Sequence, residues 1–208
     1  MKVFYVTSEC WPFVKTGGLG DVSYALPKAL KKEGVDVRVI LPKYSTIPTY
    51  LKDQLKEVAV FNVQVGWRNQ YCGLLEMEFE GIKFYFIDNE YYFKREGEYA
   101  YLYGYGDDAE RFAFFSEAVL QTMEKIDFYP DVVHINDWHT GMIPLILKNR
   151  YNHLDKYKNK ILELSDETGI AIGTVSDGMY QAISSLGDLG DETTEIFETM
   201  AKSAKAGG

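Results

Sequence analysis

Two short stretches of the sequence combine residue types suited to holding a charged ligand. The first is Lys15-Thr16-Gly17-Gly18-Leu19-Gly20-Asp21. Adjacent glycines let the backbone approach a bulky anion. A helix starting there supplies unpaired N–H groups and a partial positive charge. Lys15 adds a full charge, so a phosphate or diphosphate is the natural guest. The pattern is not a dinucleotide fingerprint, because Gly18-x-Gly20-x-x-Ser23 lacks the third glycine. It is not a P-loop either, because the lysine precedes the glycines. A plain helix-capping loop is the alternative. The second stretch is Asp137-Trp138-His139. A carboxylate at a strand end can hold ribose hydroxyls or orient a base, and His139 can donate to a phosphate or shuttle a proton. The alternative is an Asp137 helix cap followed by a packed tryptophan and a surface histidine.

The other candidates are weaker. His134 falls within an apolar run and reads as a core histidine, while His153 lies in a polar stretch. Three histidines and two cysteines show no ligand spacing, so neither a metal nor a cofactor is expected. Cys10 and Cys72 are too few for a disulfide framework and read as reduced thiols. The cluster Tyr91-Tyr92-Phe93-Lys94-Arg95 suits stacking on a sugar or adenine ring, or equally packing against a sheet edge.

Alternating apolar patterns supply elements to position these groups. A buried strand is predicted at 3–7, then the glycine loop, then a helix at 22–33 with an apolar stripe at Val22, Ala25, Leu26, Ala29 and Leu30. Pro27 inside that helix predicts a kink or a lost hydrogen bond. Gly34 is placed to end it, and 35–41 follows as a strand, completing a βαβ unit. Strands at 58–65, 73–79 and 82–87, the last two joined at Glu80-Gly81, suggest a β-rich and antiparallel excursion. Residues 89–106 have no clear period and read as a loop. A helix at 107–125, a strand at 131–136 and a helix from Trp138 or His139 through Leu147 form a second strand–loop–helix unit. The pattern implies an α/β fold: a Rossmann-like parallel sheet with helices on both faces. If the strands at 3–7 and 131–136 are neighbours, one crevice collects Glu9, Lys15, Gly17, Gly18, Asp21, Asp137 and His139.

Net charge over the 208 residues is −9, which argues against non-specific nucleic-acid binding. The charge is uneven. Residues 163–208 hold nine of the 31 acidic residues and two of the 22 basic ones, a balance of −7 against −2 for residues 1–162. That shift marks a boundary. Helices are predicted at 161–168, 175–186 and 192–205. No apolar run of about 18 residues predicts a membrane span, and no secretory signal is evident. A cytoplasmic protein is the expectation.

Residues 1 to about 160 resemble the amino-terminal part of bacterial glycogen synthases and plant starch synthases. The resemblance rests on Ser8-Glu9 with the Lys15–Asp21 motif, on Ala25-Leu26-Pro27-Lys28-Ala29-Leu30, on Asp107-Asp108-Ala109-Glu110-Arg111-Phe112, and on the segment from Pro130 to Gly141. It implies half of a two-domain GT-B glycosyltransferase that moves glucose from ADP-glucose to the non-reducing end of an α-1,4-glucan, with retention. It also implies that Lys15 meets the donor beside its phosphates, that Gly17 and Gly18 bring N–H groups to it, that Asp137 lines the glucose pocket as the catalytic carboxylate, and that Asp21, Glu9 and His139 lie close by. Where the family has a Thr-Ile-His-Asn segment this chain has Lys160-Ile161-Leu162-Glu163, without the histidine. The expectation is therefore an incomplete catalytic domain at 1–160, truncated and inactive alone, joined to a foreign acidic helical tail at 161–208. The tail resembles a segment of phage tail tape-measure proteins. The rival expectation is a non-catalytic assembly or scaffold protein, or a chimeric remnant. Self-association through the tail or an exposed sheet edge belongs to either.

Overall fold

Residues 1–95 and 102–151 are described by the computed structural model. The chain runs β1 (Lys2–Val6), α1 (Gly18–Lys32), β2 (Asp36–Pro42), α2 (Thr49–Lys52), β3 (Lys56–Val65), β4 (Arg68–Phe79), β5 (Ile82–Asp88), α3 (Glu90–Phe93), α4 (Asp108–Lys125) and β6 (Val132–Ile135). A 3₁₀ turn (Trp138–Thr140) and α5 (Ile143–Arg150) complete it. The six strands form one sheet in the order β3-β4-β5-β2-β1-β6. β1 pairs in parallel with β2 and with β6, and β2 in parallel with β5. β3, β4 and β5 pair antiparallel, so the sheet is mixed and the expected antiparallel excursion is present. Its last turn carries positive φ at both Glu80 and Gly81, the backbone of a two-residue type I′ hairpin.

β1 is buried on both faces, each of Val3 to Val6 being at most 3 % exposed. A strand with no wet face belongs to the interior of a layered α/β sheet. Phe4 packs edge-on against Tyr85 and Phe128. Burying a phenylalanine this completely contributes about 2–3 kcal/mol. α1 packs against β2 and β5, while α4 packs against β3, β5, the 3₁₀ turn and α5.

The structure corrects three expectations. The buried face of α1 is not the predicted stripe: Val22, Ala25 and Ala29 are exposed, and Gly20, Ser23 and Pro27 are buried with Leu26 and Leu30 beside them. The helix also starts four residues early. A polar Ser23 is tolerated inside because its hydroxyl meets Thr7 Oγ1 at 2.8 Å. Pro27 has no N–H to give the Ser23 carbonyl four residues back, and the Cys10 thiol donates to that carbonyl instead, at 3.3 Å. The helix expected from Trp138 is broken into the 3₁₀ turn and α5, with Pro144 in the first turn of α5, where its missing N–H costs nothing. The predicted loop at 89–106 opens with a helical turn, α3, capped by the Asn89 side chain accepting from the Tyr92 N–H. The tail helices, His153 and part of the 89–106 stretch lie outside the described residues.

Candidate functional site

The strand order reverses at β1. From β1 the chain crosses through α1 to β2 on one side, and it returns after β5 and α4 to place β6 on the other. In open α/β sheets the crevice beyond the carboxyl ends at such a reversal is the ligand site. The expected adjacency of the two strands is thus present, with Tyr5 opposite His134 and Val6 opposite Ile135. Beyond the strands, the Asn136 side chain donates to the Val6 carbonyl at 2.8 Å and accepts from the Tyr5 hydroxyl at 3.0 Å. His134 is half-buried and stacks on the Tyr5 ring, 4.6 Å between centroids.

The glycine loop forms the rim of this crevice. Lys15, Thr16, Gly17, Gly18 and Asp21 are all exposed. Gly17 is the N-cap of α1, and no side chain caps it, so the start of a 15-residue helix is left without a side-chain acceptor beside the exposed Gly17 and Gly18. A Cβ on Gly17 or Gly18 would meet nothing within 4 Å. Gly20 differs: a Cβ there would lie 2.8 Å from Lys15 Cγ and 2.9 Å from Lys15 Cβ. Gly20 is what lets Lys15 lie across the start of α1. The ammonium is not idle, being 2.7 Å from both Asp21 carboxylate oxygens. An arriving phosphate therefore competes with Asp21.

The wall behind the rim is a polar network with little water access. Glu9 is 3 % exposed. Its carboxylate accepts from the Thr16 N–H and, at 2.6 Å, from the Thr16 hydroxyl, which fixes the loop. It also lies 2.9 Å from the Tyr103 hydroxyl. Tyr103 is 2.9 Å from Ser8 Oγ, and Ser8 Oγ is 3.0 Å from His139 Nδ1. The His139 ring sits among Tyr103, Trp138 and Phe112, with centroids 4.1, 4.0 and 4.7 Å away. At 2 % exposure it is not a surface histidine, which removes that alternative. Burial, helped by the Arg111 charge, lowers its pKa to about 3. A neutral ring gives a phosphate no charge.

Asp137 caps the 3₁₀ turn by accepting from the Trp138 N–H at 2.6 Å, as the capping alternative required. Its backbone has φ of +63°, a conformation that costs a non-glycine residue energy and clusters at functional sites. Partial burial raises its carboxyl pKa, the Trp138 N–H offsets some of that, and the Glu9 charge adds a further push. Capping and ligand binding are compatible, since the cap uses one of two oxygens.

Sequence reasoning missed the groups that brace this wall. Arg111 is fully buried on α4 and donates to the Leu102 carbonyl at 2.9 Å and to Asp108 at 3.0 Å. Asp108 in turn accepts from the N–H groups of Gly104 and Tyr105. Together they hold the segment that carries Tyr103. Tyr103 lies in an aperiodic tyrosine-rich stretch, so no pattern marks it. Of the Tyr91–Arg95 cluster, Tyr92 and Phe93 pack in the core, Arg95 pairs with Asp107, and Tyr91 is exposed beside Arg68. Cys10 and Cys72 are buried and free, and burial pushes both thiols up. A second concavity, lined by Asp53, Lys56, Glu76, Glu78 and Lys83, lies toward the amino end of β5, away from the reversal.

The topology defines a Rossmann-like α/β domain, with a helix start following one strand and a carboxylate ending the strand beside it. The starch synthase catalytic domain family model matches residues 2–162, so the chain belongs to that family. It is 79 % identical over 159 residues to a glycogen synthase of Clostridioides difficile (strain 630), covering 76 % of this chain and 33 % of that protein. It is 59 % identical over 160 residues to a glycogen synthase of Clostridium novyi (strain NT), covering 76 % and 33 %. The catalytic domain of starch synthase IV from Arabidopsis thaliana, bound to ADP and acarbose, matches with a TM-score of 0.68 and 28 % identity, over 79 % of this chain and 33 % of that one. The fold is that of the amino-terminal, Rossmann-like half of a GT-B glycosyltransferase. The chain spans about a third of the length of these relatives. The comparisons lend no support to the tape-measure resemblance of the tail. Among the described residues no helix is long and apolar enough to cross a membrane.

Proposed function

We propose that this chain supplies the nucleotide-sugar side of a glycogen synthase, which moves glucose from ADP-glucose to the non-reducing end of an α-1,4-glucan with retention. The observation that carries this is the pairing of β1 with β6 at the order reversal, β1 leading to Lys15 and the uncapped start of α1 and β6 to the Asp137 carboxylate. The α1 N–H groups at Gly17 and Gly18 and the Lys15 ammonium receive the diphosphate. Asp21 holds Lys15 until the ligand arrives. Asp137 lines the glucose site as the catalytic carboxylate. Glu9 and His139 form the wall against which the donor rests. A leaving diphosphate develops charge that must be met by donors fixed in advance, and this rim meets it from one side. We propose accordingly that the 208 residues alone bind donor without turning it over. The reading places the protein in the cytoplasm, where ADP-glucose is available. It treats residues 161–208 as a separate acidic tail, on the strength of their −7 charge balance and of a family match that ends at residue 162.

Calorimetric titration of ADP into the wild type and Lys15→Ala tests the reading. Lys15→Ala should weaken binding about tenfold, about 1.4 kcal/mol. Equal affinities would remove Lys15 from the donor site, and no binding by the wild type would remove the reading itself.

A further inference from the structure

Tyr103 has one proton and, besides the Tyr44 hydroxyl, two close oxygen neighbours, Ser8 Oγ and Glu9 Oε1, each at 2.9 Å. Glu9, when ionised, can only accept. If Tyr103 gave its proton to Ser8, a carboxylate oxygen would face a phenol oxygen at 2.9 Å with no hydrogen between them, inside a poorly hydrated wall. The proton therefore lies toward Glu9. Ser8 and Tyr103 still need one proton between them, and only the Ser8 hydroxyl can supply it, so Ser8 donates to the Tyr103 oxygen. Ser8 then has no proton left for His139, whose Nδ1 is 3.0 Å away. That contact requires a hydrogen on Nδ1.

We infer that Tyr103 is a positioning residue that fixes His139 in the Nδ1–H tautomer through the one-way chain His139→Ser8→Tyr103→Glu9, and so leaves Nε2 as a bare hydrogen-bond acceptor. With Glu9 ionised, each of the three contacts carries one proton, and no other assignment fills all three. Nε2 is buried and has no hydrogen-bond partner among the described residues. The ring is held neutral, so Nε2 keeps its lone pair at neutral pH. Its complement is a hydroxyl donor and not an anion, which separates the work of His139 from that of Lys15. The tautomer follows from the hydrogen bonds and an ionised Glu9. Its service to a sugar hydroxyl rests on the reading proposed above.

Nitrogen-15 correlation spectra of the labelled 208-residue chain at pH 7 read the tautomer directly, with the His139 signals assigned from their loss in His139→Gln. The wild type should show a protonated Nδ1 and an unprotonated Nε2. In Tyr103→Phe the ring still packs, but Ser8 loses its acceptor and turns its proton to Nδ1, so the histidine proton should move to Nε2. Ser8→Ala is the second variant and should lower the Nδ1–H population, because Nδ1 loses its acceptor. An Nε2–H wild type, or an Nδ1–H signal unchanged in both variants, would overturn the inference. No nucleotide sugar is used, so failure here is distinct from failure of the donor-binding reading.

Discussion

The rim and the wall of the crevice are built on opposite principles. The rim, Lys15 to Gly18 with Asp21, is exposed; Thr16 ties it to Glu9 at one point, and its charged groups are held only by an ion pair open to water. The wall, Ser8, Glu9, Tyr103 and His139 braced by Arg111, is largely dry and heavily hydrogen-bonded. Polar groups in a wall of low dielectric are costly to disturb, whereas exposed ion pairs contribute little to stability. The difference teaches where binding and folding are separated: the rim is free to serve a ligand because the wall carries the structure.

Substitutions can break that contrast. The largest effect is expected at Arg111. Arg111→Leu strands Asp108 and the Leu102 carbonyl, and should destabilise the protein by about 3–5 kcal/mol in urea unfolding. A loss under about 1 kcal/mol would mean that the wall is not anchored there. His139 comes next. Its pKa is about 3 in the fold against 6.5 in the unfolded chain, so the unfolded state takes up the proton first. Stability should fall as pH drops below 6.5, by about 1.4 kcal/mol per unit. The urea midpoint of His139→Gln should depend less on pH between 7 and 5 than that of the wild type, and equal dependence would contradict the burial argument. Gly20→Ala should cost about 1–2 kcal/mol because its Cβ collides with Lys15, while Gly17→Ala should be near neutral. Identical melting temperatures for the two would erase that distinction within the loop. The smallest effect is Lys15→Ala, which should change stability by under about 0.5 kcal/mol even as it weakens ADP binding.

The sequence made the rim legible and the wall mostly not. Consecutive local residues announce a glycine loop before a helix, and two βα units announce a crevice if their strands are neighbours. The wall is assembled from distant positions. Tyr103 reaches Ser8 and Glu9 across some ninety-five residues of chain, and nothing in its local pattern says so. Arg111 sits in a helical stretch whose pattern does not single it out, yet it lies wholly inside because Asp108 and the Leu102 carbonyl meet it there. Periodicity also misplaced the buried face of α1. Apolar spacing cannot show that Ser23 is satisfied by Thr7, or that a cysteine thiol will serve the carbonyl Pro27 leaves open.

We propose that the donor nucleotide lies on the rim at the β1/β6 reversal. Amide hydrogen exchange of the 208-residue chain, with and without saturating ADP-glucose, reads that location residue by residue. Added protection should concentrate at Thr16 to Leu19 and at Asp137 and Trp138. Protection confined to the concavity of Asp53, Lys56, Glu76 and Lys83, or absent throughout, would contradict it.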